Sequence, residues 1–147
     1  MVKRQFYYHI TQKKWPKRIT LTPRNKGDHR AVNEPEVSRI CVSPSIEECV
    51  IALGTCLICH FNINIYRTVS KVSAINPYDV TDSHITKEKW LIKPTRFMKV
   101  GTINYLIPGT IFDLSVGNAV GIEKQSEALQ NLKDMKLRFV TWTNETY

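Results

Sequence analysis

The sequence predicts a strand-rich α+β single domain with few helices, and three observations carry that prediction. Short runs of alternating or β-branched residues recur along the chain, a strongly capped helical segment follows the third of them, and a second amphipathic helix lies near residue 130. The chain has 147 residues, 42% of them hydrophobic, which suits one core, so residues 1–147 are read as a single domain. Six Gly, seven Pro and 23% charged residues exclude collagen-like, linker-like and highly charged disordered classes.

The elements follow in order. Gln5 to Thr11 and Arg18 to Thr22 read as strands, with Trp15-Pro16 between them and Pro23 ending the second. Residues 24–38 show no apolar period and read as a polar connection. Arg39 to Ser43 is a short strand. Ser45, with Glu48 three residues on, forms a capping box ahead of Ile46, Cys49, Val50 and Leu53, which share a helical face, and Gly54 is the expected stop. Phe61, Ile63 and Ile65 alternate with Asn62, Asn64 and Tyr66, as in a strand with one buried face. After turn-rich residues 70–86, Lys89 to Lys93 and Arg96 to Leu106 are strand candidates, separated by Pro94 and broken at Gly101. An amphipathic helix over 122–136 and a closing strand from Leu137 to Trp142 complete the pattern, without internal repeats.

Charge is distributed unevenly. Residues 1–30 hold nine of the 21 Lys and Arg against Asp28 alone, so that segment carries the whole formal surplus of +8. Such asymmetry favours an anionic partner. Lys13, Lys14, Lys17 and Arg18 surround Trp15, with Tyr7 and Tyr8 close by, a mixture of cations and flat rings that suits phosphates beside a stacked base. The same cations also serve as an ordinary solvated face.

Four cysteines lie at 41, 49, 56 and 59, and Cys56 to His60 spells the C-x-x-C-H pattern of c-type haem attachment. A zinc site would draw on Cys56, Cys59 and His60 with Cys49. The apolar setting of Val50, Ile51, Leu53, Leu57 and Ile58 favours a third reading, buried thiols that pack as small hydrophobes without metal.

The longest apolar stretch, Cys49 to Phe61, is interrupted by Gly54, Thr55 and His60 and is too short for a membrane span. The opening residues lead straight into Phe6-Tyr7-Tyr8-His9 without a signal-peptide pattern, which predicts a cytoplasmic protein. Dinucleotide-fold, phosphate-loop and zinc-protease motifs are absent.

Three segments carry a resemblance. Phe6-Tyr7-Tyr8-His9-Ile10-Thr11 resembles the first strand of the ADP-ribosyltransferase-like fold, seen in small single-domain transferases and RNA 2′-phosphotransferases. Arg39 to Ala52 resembles its second block, a strand ending in Ser or Thr that runs into a helix, and Asp82 to Leu91 resembles the segment bringing its last motif residue to the cleft. The chain is also similar to small uncharacterised proteins of bacteria and phages. The resemblance implies a split sheet and NAD as substrate. It makes His9 the residue that bonds a ribose hydroxyl and Glu88 the carboxylate that steadies the ribose cation as nicotinamide leaves. Ser43 and Ser45 would line the nicotinamide side, and Arg39, Lys17 and Arg18 would hold the pyrophosphate. The implied function is ADP-ribosyl transfer to a nucleic-acid or protein target. The competing expectation is a non-enzymatic module that binds nucleic acid or a host protein, such as a phage-encoded inhibitor.

Overall fold

A computed structural model describes residues 3–24, 37–53, 63–77, 83–103 and 122–143. The fold is α+β and strand-rich. The elements are β1 (Tyr8–Thr11), β2 (Arg18–Leu21), β3 (Ile40–Val42), α1 (Ile46–Leu53), β4 (Ile63–Thr68), α2 (Ser83–Thr86), β5 (Lys89–Leu91), β6 (Thr95–Ile103), α3 (Ile122–Asp134) and β7 (Val140–Trp142).

The strands form two antiparallel sheets. The larger has the order β1-β4-β6-β2, and β7 also pairs with β6. Because β4 occupies one edge of β6, β2 and β7 share the other, beside Thr95–Met98 and Gly101–Ile103 respectively. The smaller sheet is β3-β5, extended by bridges from Ile75 to Trp90 and from Arg24 to Arg39. A bridge between Tyr8 and Ser43, closed by hydrogen bonds of 2.9 and 3.1 Å, ties β1 to the end of β3.

Each face of the large sheet has its own core. On one side Ile10, Ile63, Ile65 and Ile103 pack beneath α1 and α3, meeting Ile46, Val50, Ile51, Leu132 and Phe139. On the other side Tyr66 and Phe97 pack against Ile40, Val42 and Leu91 of the small sheet. The strand β4 therefore lies between two apolar layers. The expectation of one buried face for this strand is corrected: Asn64 and Tyr66 are as buried as Ile63 and Ile65.

Gly101 does not break its strand. A Cβ at this position would meet the Thr141 carbonyl oxygen at 2.8 Å, so glycine is what lets β7 approach β6. One residue earlier the register shifts: Ile65 pairs with Gly101 and Tyr66 with Lys99, leaving Val100 as an extra residue. A bulge reverses the alternation of a strand, and here it sends Phe97 and Ile103 into opposite cores.

The serine half of the capping box read from the sequence is present, and the Glu48 carboxylate meets the Ser45 hydroxyl. Ser45 Oγ accepts the Glu48 N–H at 3.2 Å and donates to the Glu48 carboxylate at 2.8 Å. At the end of α3, Lys136 and Leu137 adopt φ of 51° and 61°, and this left-handed pair turns the chain toward β7. Gly54, Cys56, Cys59 and His60 lie outside the described residues, and among the described residues no group of His, Cys, Asp and Glu is arranged to hold a metal. No helix there is long and apolar enough to cross a membrane.

Candidate functional site

The site begins where two strands part. Beyond the Tyr8–Ser43 bridge, β1 and β3 diverge, and the His9 ring takes over where backbone pairing stops, its Nδ1 bonding the Cys41 carbonyl oxygen at 2.8 Å. A carbonyl only accepts, so Nδ1 carries the proton. Burial holds the His9 pKa below its ordinary value, with the Cys41 bond opposing and the nearby Arg24 charge assisting. The ring is thus neutral near pH 7, and Nε2 is left as an acceptor. Trp15 stacks on it with centroids 5.8 Å apart, and Phe97 meets it edge-on at 6.3 Å.

The parting strands leave a cavity of about 390 Å³ whose lining includes His9, Lys13, Arg24, Ser43, Cys49 and Glu88. A second, of about 290 Å³, shares His9, Lys13, Arg24 and Cys41 with it and extends past Trp15, Leu21 and Arg39. Both lie near the lower end of small-molecule sites, roughly 300–1,000 Å³. His9 stands between them. Two lobes sharing one wall suit a ligand of two linked parts.

Glu88 is 9% exposed and firmly oriented. The indole N–H of Trp90 donates to its Oε2 at 2.8 Å, and the Glu88 N–H bonds Thr86 Oγ1 at 3.3 Å. Lys87, just before it, has φ of 55°, a left-handed turn that sets the direction in which β5 begins. Trp90 is fully buried and also lies beneath the Arg39 guanidinium, 4.3 Å from the ring centroid. One indole therefore positions an acid of the first cavity and a cation of the second.

Cys49 reaches the first cavity as a buried thiol. Its thiol donates to the Tyr8 carbonyl at 3.1 Å, and burial pushes its pKa up to about 12.

The basic connection after β1 is pinned by the sheet beneath it. Asn64 Nδ2 donates to the Lys13 carbonyl and Tyr66 Oη to that of Trp15, both at 2.9 Å. Lys13 consequently stands at both cavities, whereas exposed Lys14, Lys17 and Arg18 line neither.

Of the residues singled out from the sequence, His9, Ser43, Glu88 and Lys13 meet at the first cavity and Arg39 joins at the second. Ser45 lines neither, its hydroxyl being engaged in the cap of α1. The stacking rings are corrected too. Tyr7 is buried in the sheet-side core and Tyr8 packs against the helix-side one, because strand alternation turns both inward, and of the three Trp15 lines one of these two cavities. Arg24, Cys41 and the positioning role of Trp90 were not read from the sequence. The signal for Trp90 was its place two residues after Glu88, which puts both side chains on one side of an extended segment. No known protein family, curated protein or solved structure matches the chain.

Proposed function

We propose that this protein is an ADP-ribosyltransferase-like enzyme that binds NAD in the cleft between β1 and β3 and transfers ADP-ribose to a nucleic-acid or protein target. The observation that carries the reading is the pairing, at one cavity, of a neutral histidine acceptor with an oriented carboxylate 79 positions away in the chain.

In this reading Nε2 of His9 accepts a ribose hydroxyl. Lys13, Arg24 and Arg39 offset the pyrophosphate charge through charge-assisted bonds. The glycosidic C–N bond breaks with its electron pair leaving on nicotinamide, and the cation left on the ribose is stabilised by Glu88 until the target's nucleophile bonds to it. Trp90 keeps the carboxylate in place, so little reorganisation is needed as the charge develops. Glu88→Gln is expected to lower NAD turnover by at least about 100-fold with little change in NAD affinity, since the charge it meets exists mainly in the transition state. His9→Ala is expected to weaken both. Turnover together with isothermal titration of NAD checks these outcomes, and full turnover in Glu88→Gln overturns the enzyme.

One observation favours a second reading, a binder without catalysis. The transferase family that the chain resembles has an NAD-stacking tyrosine in its central block, and Ile46–Leu53 carries no aromatic residue. NAD binding without turnover in the unaltered protein would select this reading.

A further inference from the structure

Among the described residues, α1 and α3 cover only part of the face of the large sheet that carries the helix-side core. Ile10, Ile63, Ile65 and Ile103 lie beneath α1 and α3. Paired residues of antiparallel strands share a face, so the next row across the sheet is Tyr8, Arg67, Met98 and Arg18, and beyond it Arg96 lies beside Thr20. Arg18, Thr20 and Arg96 are exposed, Arg67 and Met98 half-buried. Phe6 continues this surface: the Arg67 guanidinium lies 4.3 Å from its ring centroid and Lys71 Nζ 5.9 Å.

No strand of this sheet contains an Asp or Glu, whereas α1 carries Glu47 and Glu48 in its first turn. The cations are also spaced. Arg67 and Arg18 flank Met98, each one strand away at about 4.8 Å, and Arg96 is two residues along β6, about 7 Å. That is a lattice of single positive charges rather than a pocket for one anion. Arg67 also donates through Nε to the Thr68 carbonyl at 3.2 Å, so its guanidinium is pre-oriented and loses little freedom on binding phosphate.

We infer that this part of the sheet face, built from Arg18, Arg67, Lys71 and Arg96 around Phe6 and Met98, binds a single-stranded nucleic acid. Spaced phosphates match spaced guanidinium groups, and a sheet face with an aromatic residue suits unpaired bases. The inference deepens the transferase reading by naming the class of its target. It stands on different residues, because none of these four cations lines the cleft cavities.

The test uses the full chain and fluorescently labelled single-stranded RNA and DNA of about 12 nucleotides, a length typical of such sites. Arg96→Glu/Lys71→Glu is expected to weaken binding at low salt by tenfold or more and to flatten the salt dependence, while Lys14→Glu/Lys17→Glu changes it less than about threefold. Unchanged thermal unfolding shows that each variant is folded. Oligonucleotide binding that survives the first pair and is lost with the second overturns the surface and assigns binding to the connection after β1. Failure of the unaltered protein to bind either oligonucleotide overturns it as well, as does binding to vesicles rich in phosphatidylserine without oligonucleotide binding. NAD titration of Arg96→Glu/Lys71→Glu separates the two proposals, since cleft binding is expected to persist there whether or not the nucleic-acid surface holds.

Discussion

The two cores of this protein differ in composition and in what lies beside them. The one beneath the helices is largely aliphatic, built from Ile, Val, Leu and Ala with Cys49, Met135 and Phe139. The one between the sheets is rich in rings, Tyr7, Tyr66 and Phe97 with Trp15 against them, and buried Asn64 and Thr68 share the face of β4 that carries Tyr66, while Arg39, Trp90 and Glu88 alternate with Ile40 and Leu91 and so lie on the far face of the small sheet. Aliphatic packing needs only shape and volume, whereas each buried polar group requires a partner in a set direction. The helix side is therefore chiefly scaffold, with Ile10 and Cys49 reaching the first cavity, and the small sheet with the strands beside it holds side chains in the orientations a site requires.

The largest effect expected from this contrast lies in the scaffold. Ile65→Ala removes a fully buried side chain beneath α1 and α3 and is expected to destabilise the protein by roughly 3–5 kcal/mol, as read by urea unfolding. Trp90→Phe tests the small sheet. It keeps most of the ring but removes the donor to Glu88, for an expected cost of about 1–3 kcal/mol and a loss of NAD turnover larger than the loss of stability explains. If Trp90→Phe retains full turnover, the indole is packing only.

The smallest expected effect is on pH dependence. The folded-state pKa of His9 lies below its ordinary value, so between the two the unfolded chain binds more protons than the folded one. Stability therefore rises with pH through that window and falls as acid is added from about pH 7 downward. Urea midpoints measured across that range are expected to show a shallower acid-side slope in His9→Gln than in the unaltered protein. An identical slope would mean that His9 is not held neutral by the fold.

Local features of both regions were legible in the sequence. Ser45 and Glu48 announced the start of α1, because a capping box acts within four residues, and β-branched alternation announced β1 and β4. The two-sided burial of β4 was not legible, since a strand with polar residues on alternate positions reads as half-exposed until the second sheet is seen to cover it. Asn64 and Tyr66 look solvent-facing in the sequence, yet their polar tips bond carbonyls of the connection after β1. Gly101 was misread as a break for a related reason: what requires glycine there is β7, about 40 residues later. At the site, His9 and Glu88 were legible as residue types. The burial of Glu88 between two lysines in sequence was not, because Lys87 turns away through a left-handed conformation, Thr86 accepts the Glu88 backbone N–H and the Trp90 indole holds the carboxylate.

Backbone hydrogen exchange with and without NAD tests most directly the claim that the ligand belongs in the cleft between β1 and β3. The account predicts slowed exchange at Tyr8 to Lys13, Ile40 to Ser43 and Glu88 to Leu91, with α3 unchanged. Unaltered exchange throughout at saturating NAD, or protection confined to α1 and α3, would contradict it.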